Sequence, residues 1–331
     1  MQSTTLGASV LSVTRIGLGL AALGRPGYIN LGHAADLGGE YDVAAMAANA
    51  HAVLDAAWAA GIRYFDAARS YGRAEEFLAG WLRARGIDPT VVTVGSKWGY
   101  AYTADWQVAA PVHEVKEHSV ARLRQQIGES RAHLDGYLKL YQIHSATLES
   151  GVLENQAVLH ELARLRDGGL AIGLSLSGPG QAATLARALE IVVGGQPLFA
   201  AVQATWNLLE PAAGTMLAAA RAAGMGVIVK EALANGRLTS RNDDPAFAWQ
   251  RRLLEDAAAA QGVTVDALAL AAVVHQPWAA VVLSGAATPA QLDSNVAALR
   301  VQWDGDLAAQ LVEMAEPSAV YWATRSRLAW N

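Results

Sequence analysis

Apolar positions along the chain fall into two patterns that take turns. Short, almost wholly apolar runs recur throughout: Val13–Leu20, Ile62–Asp66, Val91–Ser96, Leu138–Ile143, Leu170–Leu174, Ala200–Ala204, Met225–Lys230 and Ala279–Leu283. None alternates with polar residues, which is the mark of parallel strands covered on both faces. Between them the spacing turns helical. Val43–Ala60 carries Ala, Val and Leu along one stripe and stops at Gly61. Glu114–Gly128 sets Val115, Val120, Leu123 and Ile127 against Glu, Arg and Gln. Leu153–Asp167 ends in a Gly168-Gly169 cap, and Pro211–Ala223 opens on proline and closes at Gly224. Thr264–His275 and Pro289–Leu299 complete the helical set.

Eight strand-like runs separated by helical stretches predict an α/β fold, a (β/α)8 TIM barrel. No Pro/Gly/Ser-rich linker divides the chain, so residues 1–331 read as one barrel domain with residues 304–331 as a tail packed on it. The spacing is stretched at Gly24–Tyr41, Trp98–Val112 and Glu231–Gln250. In a barrel these long loops open at the C-terminal face, where chemistry sits.

Composition narrows the function classes. The chain is 53% apolar and 17% charged with a net charge of −5, which excludes disorder and argues against nucleic-acid or membrane-surface partners. With no cysteine there is no disulfide scaffold, thiol nucleophile or Cys-ligated metal. Met1–Leu11 lacks the charge and apolar core of a signal peptide, and a cytoplasmic protein is expected. Among 25 basic residues only Lys97, Lys116, Lys139 and Lys230 are lysines, so each stands out against a background of arginine.

Several motifs lead nowhere. Gly17–Ala22 has the spacing of a dinucleotide fingerprint, but Gly24, Pro26 and Gly27 forbid the helix that should follow. Gly173–Ser177 lacks the final glycine of a nucleophile elbow. The histidines show no metal-ligand spacing; His113 and His118 would point to different faces of a helix, and no metal is expected.

The chemistry gathers at three successive strand ends. The second run leads into Asp66 and Tyr71, the third into Lys97-Trp98, and the fourth into His144. Neighbouring strand ends share one rim of a barrel, so these four side chains should converge on a partly desolvated pocket. A phenol has a pKa near ~10 and is a poor acid at neutral pH, but an adjacent ammonium lowers it. A carboxylate would hold that ammonium, and a neutral imidazole would orient a carbonyl. Together they make a proton-donor site for carbonyl reduction, given a hydride source alongside.

The motifs FDAARSYG, GSKWG, LYQIHS, GLSLSGP, QATWNLLEP, ALANGRLT and GAATPAQLDSN resemble those of the aldo-keto reductase superfamily, from about Arg15 to about Leu299. The resemblance implies a (β/α)8 barrel and an NAD(P)(H)-dependent oxidoreductase that reduces carbonyls or oxidises alcohols or aldoses. By position, Tyr71 would be the general acid/base, Lys97 would lower its pKa, Asp66 would pair with Lys97, and His144 would orient the substrate. Ser175 and Gln203 match contacts to the carboxamide, although Leu176 replaces a usual asparagine. The aromatic that usually lies under the nicotinamide is replaced by Lys230-Glu231, with Leu233 following. Arg241 matches a pyrophosphate contact, and Gly285, Ala286, Gln291 and Asn295 match the adenosine segment. Gly19 would let the cofactor approach the backbone. The resemblance favours NADP(H), with NAD(H) as the alternative. For the substrate, a small carbonyl compound or sugar, Trp98, Tyr100 and Trp206 are the expected wall, and further aromatics stand at Tyr102, Trp106, Tyr321, Trp322 and Trp330. Arg69 would either face an anionic group or serve loop packing. The competing reading is a non-catalytic nucleotide-binding barrel acting as a redox-sensing regulatory subunit. The oligomeric state is not legible.

Overall fold

The structure, a computed structural model, describes residues 1–331. Eight parallel strands close into a barrel: β1 Ile16–Gly19, β2 Tyr64–Asp66, β3 Thr93–Trp98, β4 Leu138–Ala146, β5 Ala171–Leu176, β6 Ala201–Thr205, β7 Gly226–Lys230 and β8 Val281–Ser284. Each pairs with its sequence neighbours, and β8 pairs with β1 to seal the cylinder. This is the (β/α)8 TIM barrel expected from the runs of apolar residues. No single helix is long and apolar enough to cross a membrane.

The helices outside pack their buried faces on the strands to form one apolar core. Those at Val43–Ala59, Gln156–Asp167 and Val265–Val274 lie close to their expected bounds. Thr264 caps the last of these by accepting the N–H of Ala267 at 3.2 Å. Three more helices, Ala74–Ala84, Gln181–Leu189 and Ala248–Gln261, were not expected from the periodicity.

Three expected elements differ in their bounds, each for a local reason. The run Val13–Leu20 is broken: Ser12–Thr14 pairs antiparallel with Ser3–Thr5, and only Ile16–Gly19 joins the barrel. The expected helix Glu114–Gly128 begins instead at Val120 and runs to Leu134, because Ser119 accepts the Arg122 N–H and caps it there. Glu114–Lys116 is a strand paired with Tyr100–Tyr102, so His113 and His118 lie outside the helix. The helix expected at Pro211 starts at Gly214, since the Pro211 carbonyl accepts both the Trp206 indole N–H and the Gly214 N–H.

Period-2 alternation layers the barrel interior. At the bottom, Tyr64, Leu140, Ala201, Ile228 and Val281 pack with Leu6 and Val13 of the N-terminal hairpin, which plugs that end. One pleat higher stand Asp66, Gln142 and Gln203, and above them the interior opens towards the C-terminal loops. The apolar floor and polar middle layer together put the charged groups at one depth.

Candidate active site

The middle layer is organised around one carboxylate. Asp66 ends β2 and is buried with Lys97 of β3, with which it forms an ion pair. Its second oxygen accepts hydrogen bonds from the Tyr64 hydroxyl at 3.0 Å, Gln142 Nε2 at 3.2 Å and Gln203 Nε2 at 2.9 Å. An isolated buried charge would be prohibitive, and this degree of pairing is what makes Asp66 and Lys97 tolerable inside the barrel. Lys97 Nζ also donates to the Ala67 carbonyl at 3.0 Å and reaches the Tyr71 hydroxyl at 3.4 Å.

Tyr71 and His144 complete the cluster. Their rings meet edge to face at 5.5 Å between centroids. His144 stands where the pairing of β4 with β5 slips between Ile143 and Ala146, with Ser145 at φ +53°. Such a bulge re-aims a side chain at a strand end. Its Nδ1 lies 3.4 Å from Ser70 Oγ, and its carbonyl is within 3.0 Å of His118 Nε2. Burial, and then the cations Lys97, Lys230 and Arg25, hold the imidazole well below its ordinary range, so His144 is neutral at pH 7. All four residues expected at the strand ends therefore meet in one place.

Burial pushes the Tyr71 pKa well up, the Asp66 charge adds to this, and Arg25 pulls against both. Lys97 has its charge committed to Asp66. Arg25 was missed in the sequence because it lies in the insert after β1, far from any strand-end motif.

Tyr71 and His144 open into a cavity of about 610 Å³ that runs past Gly19, Gln203, Lys230 and Leu233 to Arg241, Gly285, Gln291 and Asn295. At its far end the Asn295 side chain donates to Ser284 Oγ at 2.8 Å, while its own Oδ1 is buried without a partner. Arg241 is ion-paired with Asp36 of the insert, and Gln291 Nε2 donates to the same carboxylate at 2.8 Å. Near the middle, Lys230 donates to Thr205 Oγ1 at 2.8 Å and stands 3.6 Å from Glu231, which is ion-paired with Arg325 of the C-terminal helix Ser318–Ser326. Burial brings Lys230 down to about 8, with Arg325 and Lys97 lowering it further against Glu231. Burial alone would raise Glu231, yet Arg325 and Lys230 hold it down to about 2.

Three expected contacts are corrected. Ser175 is fully buried off the cavity wall, with its hydroxyl accepting the Ser145 N–H at 2.8 Å. Trp98 is buried outside the barrel interior, because Lys97 beside it on the same strand points inward and the pleat turns its neighbour out. Trp206 packs on Trp278 with ring centroids 5.5 Å apart and is likewise absent from the wall. The aromatic wall is Tyr28, Tyr100 and Trp330. Arg69 serves loop packing, paired with Glu75 and Glu129.

The sequence model of the Aldo/keto reductase family matches residues 15–316. Among solved structures, an aldo-keto reductase of Pseudomonas aeruginosa shares 26% identity at a TM-score of 0.63, covering 94% of this chain and 96% of that one. An aldo-keto reductase of Bacillus halodurans, solved in its holo form, superposes at a TM-score of 0.72 with 18% identity, covering 96% and 97%. No curated protein matches the sequence. A family match across nearly the whole barrel, joined to a buried Asp66–Lys97 pair beneath Tyr71 and His144, leads to one statement: the chain belongs to the aldo/keto reductase family and is an oxidoreductase.

Proposed function

We propose that this enzyme reduces the carbonyl of a small molecule or sugar, or oxidises the corresponding alcohol or aldose, with Tyr71 as general acid/base and a nicotinamide dinucleotide as hydride partner. The observation that carries this reading is the Tyr71 hydroxyl 3.4 Å from Lys97 Nζ, beside a neutral His144 in the same cavity. Tyr71 would give its proton to the carbonyl oxygen in reduction and take it back in oxidation. Asp66 keeps Lys97 in place, and Lys97 stabilises the phenolate as it forms. With the Ser70 hydroxyl directed at Nδ1, His144 would carry its proton on Nε2 and donate it to the substrate carbonyl. Tyr28, Tyr100 and Trp330 would cover the substrate and exclude water.

The residues along the cavity suit a dinucleotide, which when bound would supply or accept hydride. The unpartnered Asn295 Oδ1 suits an N–H donor such as the amino group of an adenine. Gly285 has nothing within 4 Å of where a Cβ would stand, leaving room for a ligand against the backbone. Gly19, Gln203 and Lys230 would border the nicotinamide end, with Gln203 Nε2 also donating to Asp66. Leu233, Arg241, Gly285, Gln291 and Asn295 would border the remainder.

NADP(H) is the form that the sequence resemblance favours. One observation favours NAD(H): the Arg241 guanidinium is already neutralised by Asp36 and is not free for a 2′-phosphate. Turnover of a panel of aldehydes, ketones and aldoses with each cofactor, followed through the absorbance of the reduced nicotinamide, tests the reading. No turnover with any pair, despite dinucleotide binding, would contradict it.

A further inference from the structure

The insert after β1 does more than line the cavity. Its first residues, Gly24-Arg25, lie directly on the turn that carries Tyr71. The Arg73 N–H donates to the Gly24 carbonyl at 2.7 Å. A Cβ on Gly24 would fall 2.2 Å from the Tyr71 carbonyl oxygen, and one on Gly72, at φ +57°, would fall 2.4 Å from the Gly24 oxygen. Only glycine at both positions allows the two backbones to approach this closely.

That approach delivers a buried cation to the phenol. Arg25 is 3% exposed, donates from Nη1 to the Ser70 carbonyl at 2.9 Å and is ion-paired with Glu114 of the Tyr100–Lys116 hairpin. Its Cζ lies 5.3 Å from the Tyr71 ring centroid, 5.4 Å from that of Tyr28 and 4.8 Å from that of Trp330. The charged and titratable groups facing Tyr71 come from every side: Asp66 and Lys97 below, His144 from β4, Glu114 from the hairpin, Glu231 from the end of β7, and Tyr28 and Arg25 from the insert. Burial and the three carboxylates favour the neutral phenol, and Arg25 opposes them.

We propose that Arg25 is a positioning residue for the proton transfer: it clamps the Ser70–Arg73 turn and presents its charge to Tyr71, with Glu114 moderating that charge. This rests on the reading of Tyr71 as the acid/base. A cation in partly desolvated contact with the ring stabilises the phenolate, so loss of Arg25 should weaken the acid and loss of the Glu114 charge should strengthen it.

The test is the titration midpoint of Tyr71 in the intact protein. Tyrosine labelled with carbon-13 at Cζ reports it by NMR, and the Tyr71 signal is the one missing from Tyr71→Phe. Arg25→Gln should move the midpoint up by roughly one pH unit, a tenfold change in the dissociation constant. Arg25→Lys should recover much of that shift, and Glu114→Gln should move the midpoint down. A role in loop packing alone would not give opposite signs for the two ends of one ion pair. Identical midpoints in wild type, Arg25→Gln and Glu114→Gln would overturn the proposal; where burial keeps the phenol protonated up to the pH of unfolding, the rate of single-turnover 4-nitrobenzyl alcohol oxidation at one fixed pH follows the phenolate fraction and reads the same shifts, and equal rates in all three would overturn it. If Arg25→Gln fails to fold, the downward shift in Glu114→Gln and its absence decide the matter. Turnover of Tyr71→Phe with an aromatic aldehyde probe, 4-nitrobenzaldehyde, is read separately: retained turnover removes Tyr71 as the acid, whereas lost turnover with unmoved midpoints removes only the role of Arg25.

Discussion

Lys97 Nζ lies 3.4 Å from the Tyr71 hydroxyl while its charge is held by Asp66 in the middle layer beneath. The two contacts pull in opposite directions. The carboxylate fixes the ammonium inside the barrel, and it also favours the neutral phenol. The site is therefore a balance of buried charges, and single substitutions in it should have unequal costs.

Asp66→Asn leaves Lys97 as an uncompensated buried cation and takes the charge from a group that receives three further hydrogen bonds. Breaking a buried pair in this way costs about 3–5 kcal/mol. Lys97→Met leaves Asp66 with those three donors and should cost less, roughly 1–2 kcal/mol. Urea unfolding of both variants checks the order. Equal losses would show that the donors do not solvate the carboxylate.

Stability should fall as pH drops from about 6.5 towards 4.5, before the carboxylates titrate. Burial, as the leading cause, holds His33 and His118 down to about 4 and His144 well below its ordinary value. The unfolded chain then takes up protons that the folded chain refuses, so folding loses on the order of 1 kcal/mol per pH unit for each such histidine. This stability is complete above the unfolded pKa and is lost below it. Urea midpoints at pH 7.5 and pH 5 provide the check; equal midpoints would contradict the buried, neutral histidines.

Asp36→Asn should change cofactor preference. It frees Arg241, now paired with Asp36, for an anionic group at the adenosine end. Affinity for NADP+ relative to NAD+ should rise roughly tenfold, the scale of one charge-assisted contact. Titration by intrinsic fluorescence gives both dissociation constants without turnover. An unchanged ratio would place the 2′ position away from Arg241.

The barrel and its four central residues were legible because both rest on local pattern. Asp66, Lys97 and His144 each end an apolar run, and the closed order of strands brings consecutive ends together. The substrate wall was misread for a reason equally local: strand alternation turns Trp98 away once Lys97 faces in. Arg25, Asp36 and Arg325 could not be placed, since their roles depend on how the insert and the tail cross the mouth. Glu231 meets Arg325 from 94 positions away, and the Tyr28 and Asn331 backbones exchange two hydrogen bonds of 3.1 Å. Contacts of that kind follow the path of loops rather than any period in the sequence.

The central claim is that the Tyr71 hydroxyl carries the proton. Removing that oxygen alone, in Tyr71→Phe, should lower single-turnover hydride transfer to a carbonyl substrate by about 10²–10⁴-fold while leaving dinucleotide affinity unchanged. Hydride transfer at the wild-type rate in Tyr71→Phe would contradict the account.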